Sequence, residues 1–204
     1  QLLATHLTEL EQYIDINPSY YLYQNDKTFY QPNAFLMPKM VKLVISLIEN
    51  PRDLLELYCG SGTFTIPLSY SFKNVFATEN NRESISYLKK SIHKNHIKNI
   101  FYARLSDIEL MDAYKGRIFR RLENIDLKNF NFSHVLVDPP RSGLSHNVTE
   151  ILNKFENIIY ISCNPDTFKR DLDKLKDYRI KKLEVFDQFS NTPHLELIAL
   201  LIKR

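Results

Sequence analysis

The chain has 204 residues, of which 44% are hydrophobic and 25% charged, and its net charge at neutral pH is +3. Enough apolar side chains are present to build a core, which excludes a disordered chain, and the small positive charge permits a nucleic-acid partner without indicating one. Two cysteines cannot build a disulfide framework, and the longest apolar run near the C-terminus, 197–202, is too short to cross a bilayer, so the sequence predicts a cytoplasmic protein with no membrane partner.

The first 30 residues are polar, rich in tyrosine and without a clear period. They predict an irregular or partly helical lead-in. Because the chain opens at Gln1 rather than Met, we expect it to be a fragment that lacks an N-terminal region.

From residue 31 onward the pattern predicts alternating strands and helices. A helix with Met40, Val44, Leu47 and Ile48 on one face follows Gln31-Pro32-Asn33. The predicted strands that precede further helices are 53–58, 74–79, 99–103, 133–138 and 157–162. The polar segment 112–131 is predicted to lie outside the core, and strands 179–186 and 195–202 close the chain with no helix between them. This order predicts an α/β fold with an open, doubly wound, mostly parallel sheet and a C-terminal antiparallel hairpin.

A glycine-rich turn, Cys59-Gly60-Ser61-Gly62, follows the strand at 53–58 and precedes a helix. Glycines at such a turn let the backbone approach a ligand at a helix N-terminus. Glu79 ends the next strand, where a carboxylate accepts hydrogen bonds from ribose hydroxyls. A dinucleotide fingerprint wants a third glycine where Thr65 stands, so the pattern favours S-adenosylmethionine over NAD, with a purely structural turn as the alternative. Ser106-Asp107 follows the third strand, where Asp107 either approaches the adenine or caps a helix.

Two prolines follow the strand at 133–138, in Asp138-Pro139-Pro140-Arg141. They predict a rigid turn that holds Asp138 and Arg141 above the sheet edge, where ligands bind in folds of this kind. The alternative is a structural turn.

Cys163 follows the strand at 157–162, with Asn164 as a predicted helix N-cap and Pro165 as the first helical residue. A helix N-terminus favours the thiolate form, so Cys163 is a candidate nucleophile. The alternative is a small buried apolar residue, which is the role we predict for Cys59.

Glu196 alternates with the apolar residues of the last strand, so that it shares their face. A carboxylate in apolar surroundings has a raised pKa and makes a better base, whereas the alternative is an exposed strand end. No His or Cys cluster has metal-ligand spacing.

Several motifs occur in one order between Tyr30 and the end of the chain. They are Tyr30-Gln31-Pro32-Asn33, Leu55-Glu56-Leu57-Tyr58-Cys59-Gly60, Ala77-Thr78-Glu79, Val137-Asp138-Pro139-Pro140-Arg141-Ser142-Gly143-Leu144, Tyr160-Ile161-Ser162-Cys163-Asn164-Pro165 and Phe186-Asp187-Gln188-Phe189 followed by His194-Leu195-Glu196. With these motifs the chain resembles the tRNA (uracil-5-)-methyltransferase family, which makes ribothymidine in the T-loop. Ribosomal RNA uracil methyltransferases share most of them, but segment 119–127 and Asp187-Gln188-Phe189 look more like the tRNA branch.

The resemblance implies a Rossmann-like class I S-adenosylmethionine-dependent methyltransferase fold. Residues 1–30 would connect a missing N-terminal RNA-binding region to a catalytic domain at 31–204. The partner would be RNA, with the T-arm of tRNA and its uridine 54 as the target, and we expect a monomer. The implied roles are cofactor contact for Gln31, Tyr58, Gly60, Thr63, Glu79 and Asp138, nucleophile for Cys163, base for Glu196 and a hold on the target uracil for Arg141. Thr63 stands where some members have Asn, and His194 either contacts RNA or caps its strand.

The implied chemistry begins with attack of the Cys163 thiolate on C6 of uracil, which makes C5 nucleophilic. C5 takes the methyl group, Glu196 removes the C5 proton, and elimination frees the cysteine; the base must first leave its stack. Alternatives are a ribosomal RNA uracil methyltransferase, an amino-methyltransferase of adenine or glutamine, and a non-catalytic cofactor-binding RNA module. Amino-methyltransferases want an aromatic residue where this chain has Arg141, and they need no cysteine.

Overall fold

The computed structural model describes residues 9–25, 33, 35–187 and 195–204. The strands are β1 Leu10–Ile14, β2 Tyr20–Gln24, β3 Asp53–Leu57, β4 Asn74–Glu79, β5 Ile100–Arg104, β6 Phe132–Val137, β7 Asn157–Ser162, β8 Tyr178–Phe186 and β9 Glu196–Lys203. The helices are α1 Met37–Ser46, α2 Thr65–Leu68, α3 Arg82–Lys94, α4 Asp107–Tyr114, α5 His146–Leu152 and α6 Pro165–Leu172. None of the helices in the described ranges is long and apolar enough to cross a membrane.

Seven of the described strands form one sheet in the order β5-β4-β3-β6-β7-β9-β8. Strands β3 to β7 pair in parallel, whereas β9 runs antiparallel to both β7 and β8. The predicted α/β fold, with a mostly parallel sheet and a C-terminal antiparallel hairpin, is confirmed. Because β3 lies between β4 and β6, the strand order reverses there, and a crevice opens beyond the carboxyl ends of these strands.

The hydrophobic core covers both faces of this sheet. Leu54 and Leu136 belong to a cluster with the buried residues of α1 and α3, whereas Leu55 and Val135 belong to a cluster with those of α4 and α5. Burial on both faces explains why these strands are continuous apolar runs rather than alternating ones.

An antiparallel hairpin of β1 and β2 precedes the sheet. Tyr20 and Leu22 are buried in the first core cluster, and Gln24 is also buried. The prediction of an irregular or partly helical lead-in is therefore wrong for these residues. The period of two was hidden because the inward positions hold Tyr and Gln as well as Leu, and the outward ones hold more tyrosines.

The segment between α4 and β6 lies outside the sheet, as its polar composition predicts. It contains two single turns of 3-10 helix, Arg120–Leu122 and Leu127–Asn129. Several of its apolar side chains nevertheless pack against the second core cluster, among them Phe119, Ile125 and Phe130. The segment therefore lies outside the sheet but packs against the core.

Candidate active site

One edge of the sheet collects most of the candidate residues. The carboxyl ends of β3, β4, β6 and β7 meet there, which places the glycine turn, Glu79, Asp138 and Cys163 at the same edge. Strand β9 runs in the opposite direction, and Leu197 pairs with Ser162 at the end of β7. The first residue of β9, Glu196, therefore reaches this edge too.

The turn after β3 has an unusual backbone conformation. Tyr58 (φ 59°) and Gly60 (φ 55°) lie in the left-handed region, which a tyrosine rarely adopts. The Gly60 N–H donates to Oε2 of Glu79 at 3.1 Å, and the Asn81 N–H donates to Oε1 at 2.7 Å. The Glu79 carboxylate is thus held in place by backbone groups of two neighbouring loops.

Gly62 lies where the core leaves no room for a side chain. A Cβ at this position would lie 2.6 Å from Cδ1 of Leu88 in α3. Core packing is therefore sufficient to explain this glycine, and the expectation that it lets the backbone approach a ligand stays a prediction.

A cavity of about 120 Å³ lies beside the turn. Tyr58, Glu79 and Asp107 contribute to its lining. Ser106 is the N-cap of α4, because its side chain accepts the backbone N–H of Glu109, so the alternative of Asp107 as the cap is not the arrangement observed. Two carboxylates beside a small half-polar cavity suit the hydroxyl and amino groups of a nucleoside.

Glu56 is a further candidate residue, which the sequence analysis did not find. It is the next-to-last residue of β3 and is only 1% exposed, and its Oε2 has no hydrogen-bond partner among the described residues. Burial raises the pKa of this carboxyl to about 8, and the charge of Asp138 acts in the same direction, although the Thr65 hydroxyl opposes them. An acidic residue inside an apolar strand was the available signal, because burying a carboxylate is costly without a purpose.

Cys163, Arg141, Asp138 and Glu196 form a cluster at the end of β7. The Arg141 guanidinium and the carboxylates of Glu196 and Asp138 all lie close enough to the Cys163 thiol to act on it electrostatically. Residues from three separate segments of the chain therefore converge on one sulfur atom. We name this group the thiol cluster.

The pKa of the Cys163 thiol is raised, so its surroundings as a whole disfavour the thiolate that the sequence analysis expected. Burial is the main cause, followed by the charges of Glu196 and Asp138, and Arg141 opposes them. Asn164 caps α6 as predicted, and its Oδ1 accepts the N–H of Asp166 at 3.0 Å. Its side chain thus accepts N–H groups in the first turn of α6.

The two carboxyls of the thiol cluster also resist ionisation. Glu196 is 1% exposed, and burial followed by the charge of Asp138 raises its pKa to about 8, with Arg141 opposing. Burial raises the pKa of Asp138 to about 7. Oε2 of Glu196 has no hydrogen-bond partner within the part of the chain that the structure describes. A positive charge placed beside these groups would lower the pKa of each and favour the thiolate.

Of the remaining candidate residues, two lie in the turn after β3 and two lie outside the described residues. Thr63 lies half-buried in the turn before α2. Cys59 is buried, and burial raises the pKa of its thiol, in agreement with a packing role. Gln31 and His194 lie outside the described residues. Within the described ranges, no group of three or more His, Cys, Asp or Glu side chains is arranged to bind a metal ion.

Known proteins are similar to this chain over nearly all of its length. The family model described as tRNA (Uracil-5-)-methyltransferase matches residues 3–204. A tRNA/tmRNA (uracil-C(5))-methyltransferase of Campylobacter concisus is 49% identical over 179 residues, which are 87% of this chain and 49% of that protein. One of the same name from Campylobacter curvus is 44% identical over 207 residues, which are 100% of this chain and 57% of that protein. The chain thus spans about half the length of the curated relatives it matches.

A solved structure also resembles the fold. The crystal structure of Pyrococcus abyssi tRNA (uracil-54, C5)-methyltransferase in complex with S-adenosyl-L-homocysteine superposes with a TM-score of 0.77. It is 30% identical in sequence, and the match covers 95% of this chain and 44% of that one.

Proposed function

Because the chain belongs to the tRNA (uracil-5-)-methyltransferase family, we propose that it methylates C5 of a uridine in RNA, with S-adenosylmethionine as the methyl donor. The observation that carries this proposal is the thiol cluster, in which a cysteine, an arginine and a buried carboxyl meet at the sheet edge. A methyltransferase acting on an amino group would have no use for that cysteine.

The described residues fit this cofactor. Glu79 and Asp107 beside the cavity suit the ribose and the adenine, and the buried Glu56 carboxyl offers an unpartnered oxygen near Asp138, which suits a cationic group. When bound, S-adenosylmethionine supplies an electrophilic methyl group and a positive charge. The residues that we assign to its binding are Gln31, Tyr58, Gly60, Thr63, Glu79 and Asp138.

Cys163 acts as the nucleophile in this proposal. Its thiolate adds to C6 of the uracil, which makes C5 an enolate carbon able to accept a methyl group. Arg141 lies close to the thiol and is exposed to solvent, so its charge favours the thiolate and its guanidinium can also hold the uracil. The raised pKa of Cys163 means that a thiolate forms mainly when further positive charge enters the cluster.

Glu196 acts as the base that removes the proton from the methylated C5. Its carboxyl is buried, and its pKa of about 8 makes it a much stronger base than an exposed glutamate. Removal of this proton lets the bond between Cys163 and C6 break, which regenerates the enzyme. The uridine must be turned out of its stack to reach a buried cluster of this kind.

We propose tRNA as the substrate and the T-loop uridine 54 as the target. The names of the similar proteins support this choice, since they specify tRNA or tmRNA, and uracil-54 in the solved structure. Action in the cytoplasm and as a monomer belongs to the same proposal.

The test is methyl transfer from S-adenosylmethionine to unmodified tRNA, with the product mapped by nuclease digestion and mass spectrometry. We expect 5-methyluridine in the T-loop and none when Cys163→Ala replaces the wild-type chain. Modification of an amino group, or undiminished transfer by Cys163→Ala, would contradict the proposal. Methylation of a ribosomal RNA fragment in preference to tRNA would overturn the substrate and favour the ribosomal branch.

A further inference from the structure

Asp171 in α6 is a buried carboxylate that the proposed chemistry does not use. Its side chain is 0% exposed, and its Oδ2 accepts the backbone N–H of Leu144 at 2.7 Å and the Tyr160 hydroxyl at 2.9 Å. Its Oδ1 accepts Nε and Nη2 of Arg170 at 3.0 and 2.7 Å. The carboxylate therefore joins α6 to strand β7 and to the loop that follows β6.

Other hydrogen bonds tie the same loop to the same helix. Nη2 of Arg170 donates to the carbonyl of Ser142 at 2.8 Å, and Nδ2 of Asn164 donates to the carbonyl of Arg141 at 3.4 Å. The loop segment 141–144 is thus held by the cap and the body of α6. That helix begins two residues after Cys163.

Gly143 shows how closely the loop and the helix approach each other. Its φ is +77°, and a Cβ there would lie 2.4 Å from Nη2 of Arg170 and 2.5 Å from Oδ2 of Asp171. A side chain at this position would have to push the loop away from the Arg170 and Asp171 side chains of α6. The glycine of the Pro-Pro-Arg-Ser-Gly motif is explained by this contact.

We propose that Asp171 is a positioning residue that, through Leu144 and Arg170, holds the loop against α6 so that the Arg141 guanidinium stays beside the Cys163 thiol. Arg141 is exposed to solvent, so packing alone does little to fix the position of its side chain. The inference rests on the proposed function in taking Cys163 as the nucleophile, and it adds a residue that touches neither RNA nor cofactor.

The test is the pH dependence of Cys163 alkylation by iodoacetamide in the whole chain, followed by peptide mass spectrometry so that Cys59 is counted separately. The charged groups facing Cys163 are Glu196 from β9 and Asp138 and Arg141 from the loop. Asp171→Asn keeps the shape but removes the charge and half of the acceptors. We expect it to shift the profile to higher pH, with alkylation at pH 8 slowed about threefold or more.

Arg141→Ala should shift the profile in the same direction, and the double variant Asp171→Asn with Arg141→Ala should be no slower than Arg141→Ala alone. Asp173→Asn is the matched control, because Asp173 is exposed at the end of the same helix, and we expect its profile to be that of the wild type. Additive shifts in the double variant would overturn the proposal.

A lower melting temperature of Asp171→Asn with an unchanged alkylation profile would also overturn it, because Asp171 would then only stabilise the fold. Should Asp171→Asn fail to fold, Arg170→Gln is the second variant, because the Arg170 side chain is half-exposed and its loss removes the hydrogen bond to the Ser142 carbonyl. We expect a smaller shift of the alkylation profile in the same direction. An unchanged profile would contradict the proposal. Alkylation needs neither RNA nor cofactor. A chain that alkylates as expected but methylates no uridine would therefore refute the proposed function and leave the role of Asp171 intact.

Discussion

Cys163 and Glu196, which we propose as the nucleophile and the base, both have pKa values above the ordinary ones for a thiol and a carboxyl. The sequence identified these two residues and their neighbours Asp138 and Arg141, because each follows or begins a strand at the same sheet edge. It did not reveal the direction of the thiol pKa, since that depends on burial and on carboxylates from distant segments. Asp171 escaped notice for a related reason, as its partners are far away in the sequence.

Replacement of Glu196 by Gln tests its role as the base. We expect kcat for methyl transfer to fall about 100-fold or more, as for loss of a general base, while binding of S-adenosylhomocysteine changes little. In the wild type the rate should rise with pH up to about 8, because the raised pKa keeps Glu196 protonated below that value. Glu184→Gln in β8 is the control, and single-turnover kinetics is the measurement. Retention of more than about a tenth of the activity by Glu196→Gln would contradict its assignment.

The raised pKa of Glu56 predicts how the free energy of unfolding changes with pH. Its folded pKa is about 8, against about 4.5 in the unfolded chain, so the folded protein holds the proton more tightly than the unfolded one. The contribution of Glu56 to the free energy of unfolding should therefore be largest below pH 4.5 and fall as the pH rises towards 8.

Glu56→Gln cannot ionise, so its free energy of unfolding should fall less over the same range, by on the order of a few kcal/mol. Glu196 and Asp138 have raised pKa values too, so the slope should be reduced and not abolished. Urea denaturation at pH 5 and pH 8 measures the difference, with the exposed Glu123→Gln as control. Equal slopes for Glu56→Gln and the wild type would show that the buried carboxyl is ionised at neutral pH.

At the scale of elements, the order of strands and helices after residue 31 was predictable because continuous apolar runs alternate with amphipathic segments. The hairpin of β1 and β2 was not, because part of its support comes from side chains of α3 and the residue after it. The Tyr21 N–H donates to Oδ1 of Asn95 at 2.8 Å, and Nδ2 of Asn95 donates back to the Tyr21 carbonyl at 2.8 Å. The Tyr23 N–H donates to the Ser91 hydroxyl at 2.9 Å. These side chains replace the neighbouring strand that β2 lacks on that edge.

Replacement of Asn95 by Ala should therefore loosen the hairpin. We expect the free energy of unfolding to fall by about 1–3 kcal/mol, since the Tyr21 backbone groups lose their partners in a half-buried place. His93→Ala, at an exposed position of the same helix, is the control. Chemical denaturation gives the values, and protease cutting near residues 9–25 would report the loosening directly. A loss within about 0.5 kcal/mol, the range of neutral surface substitutions, would mean that core packing alone holds the hairpin.

At the scale of the whole molecule, the small cavity lined by Glu79 and Asp107, the buried carboxyl of Glu56 and the thiol cluster all lie at one edge of the sheet. The chain's small net charge of +3 gives it only modest attraction for RNA, so affinity depends on where the charges lie rather than on their sum. Cofactor binding should be separable from RNA binding: S-adenosylhomocysteine at 100 times its Kd should stabilise the chain by about 2.7 kcal/mol.

Glu79→Ala should weaken this stabilisation, because it removes both a cavity carboxylate and the acceptor for the Gly60 and Asn81 N–H groups. Thermal unfolding with and without ligand is the measurement, and Asn80→Ala, which removes a neighbouring side chain of the cavity, is the comparison. Full ligand stabilisation of Glu79→Ala would place the nucleoside elsewhere.

The most direct test of the central claim, that Cys163 attacks C6 of a uridine, is covalent trapping on tRNA that contains 5-fluorouridine. With S-adenosylmethionine present, we expect a protein–RNA complex that survives denaturing electrophoresis, because fluorine at C5 cannot leave as a proton does and the bond to Cys163 therefore persists. Cys163→Ala should give none, and Cys59→Ala should trap as the wild type does. Absence of the complex with the wild-type chain, or its persistence in Cys163→Ala, would contradict the account.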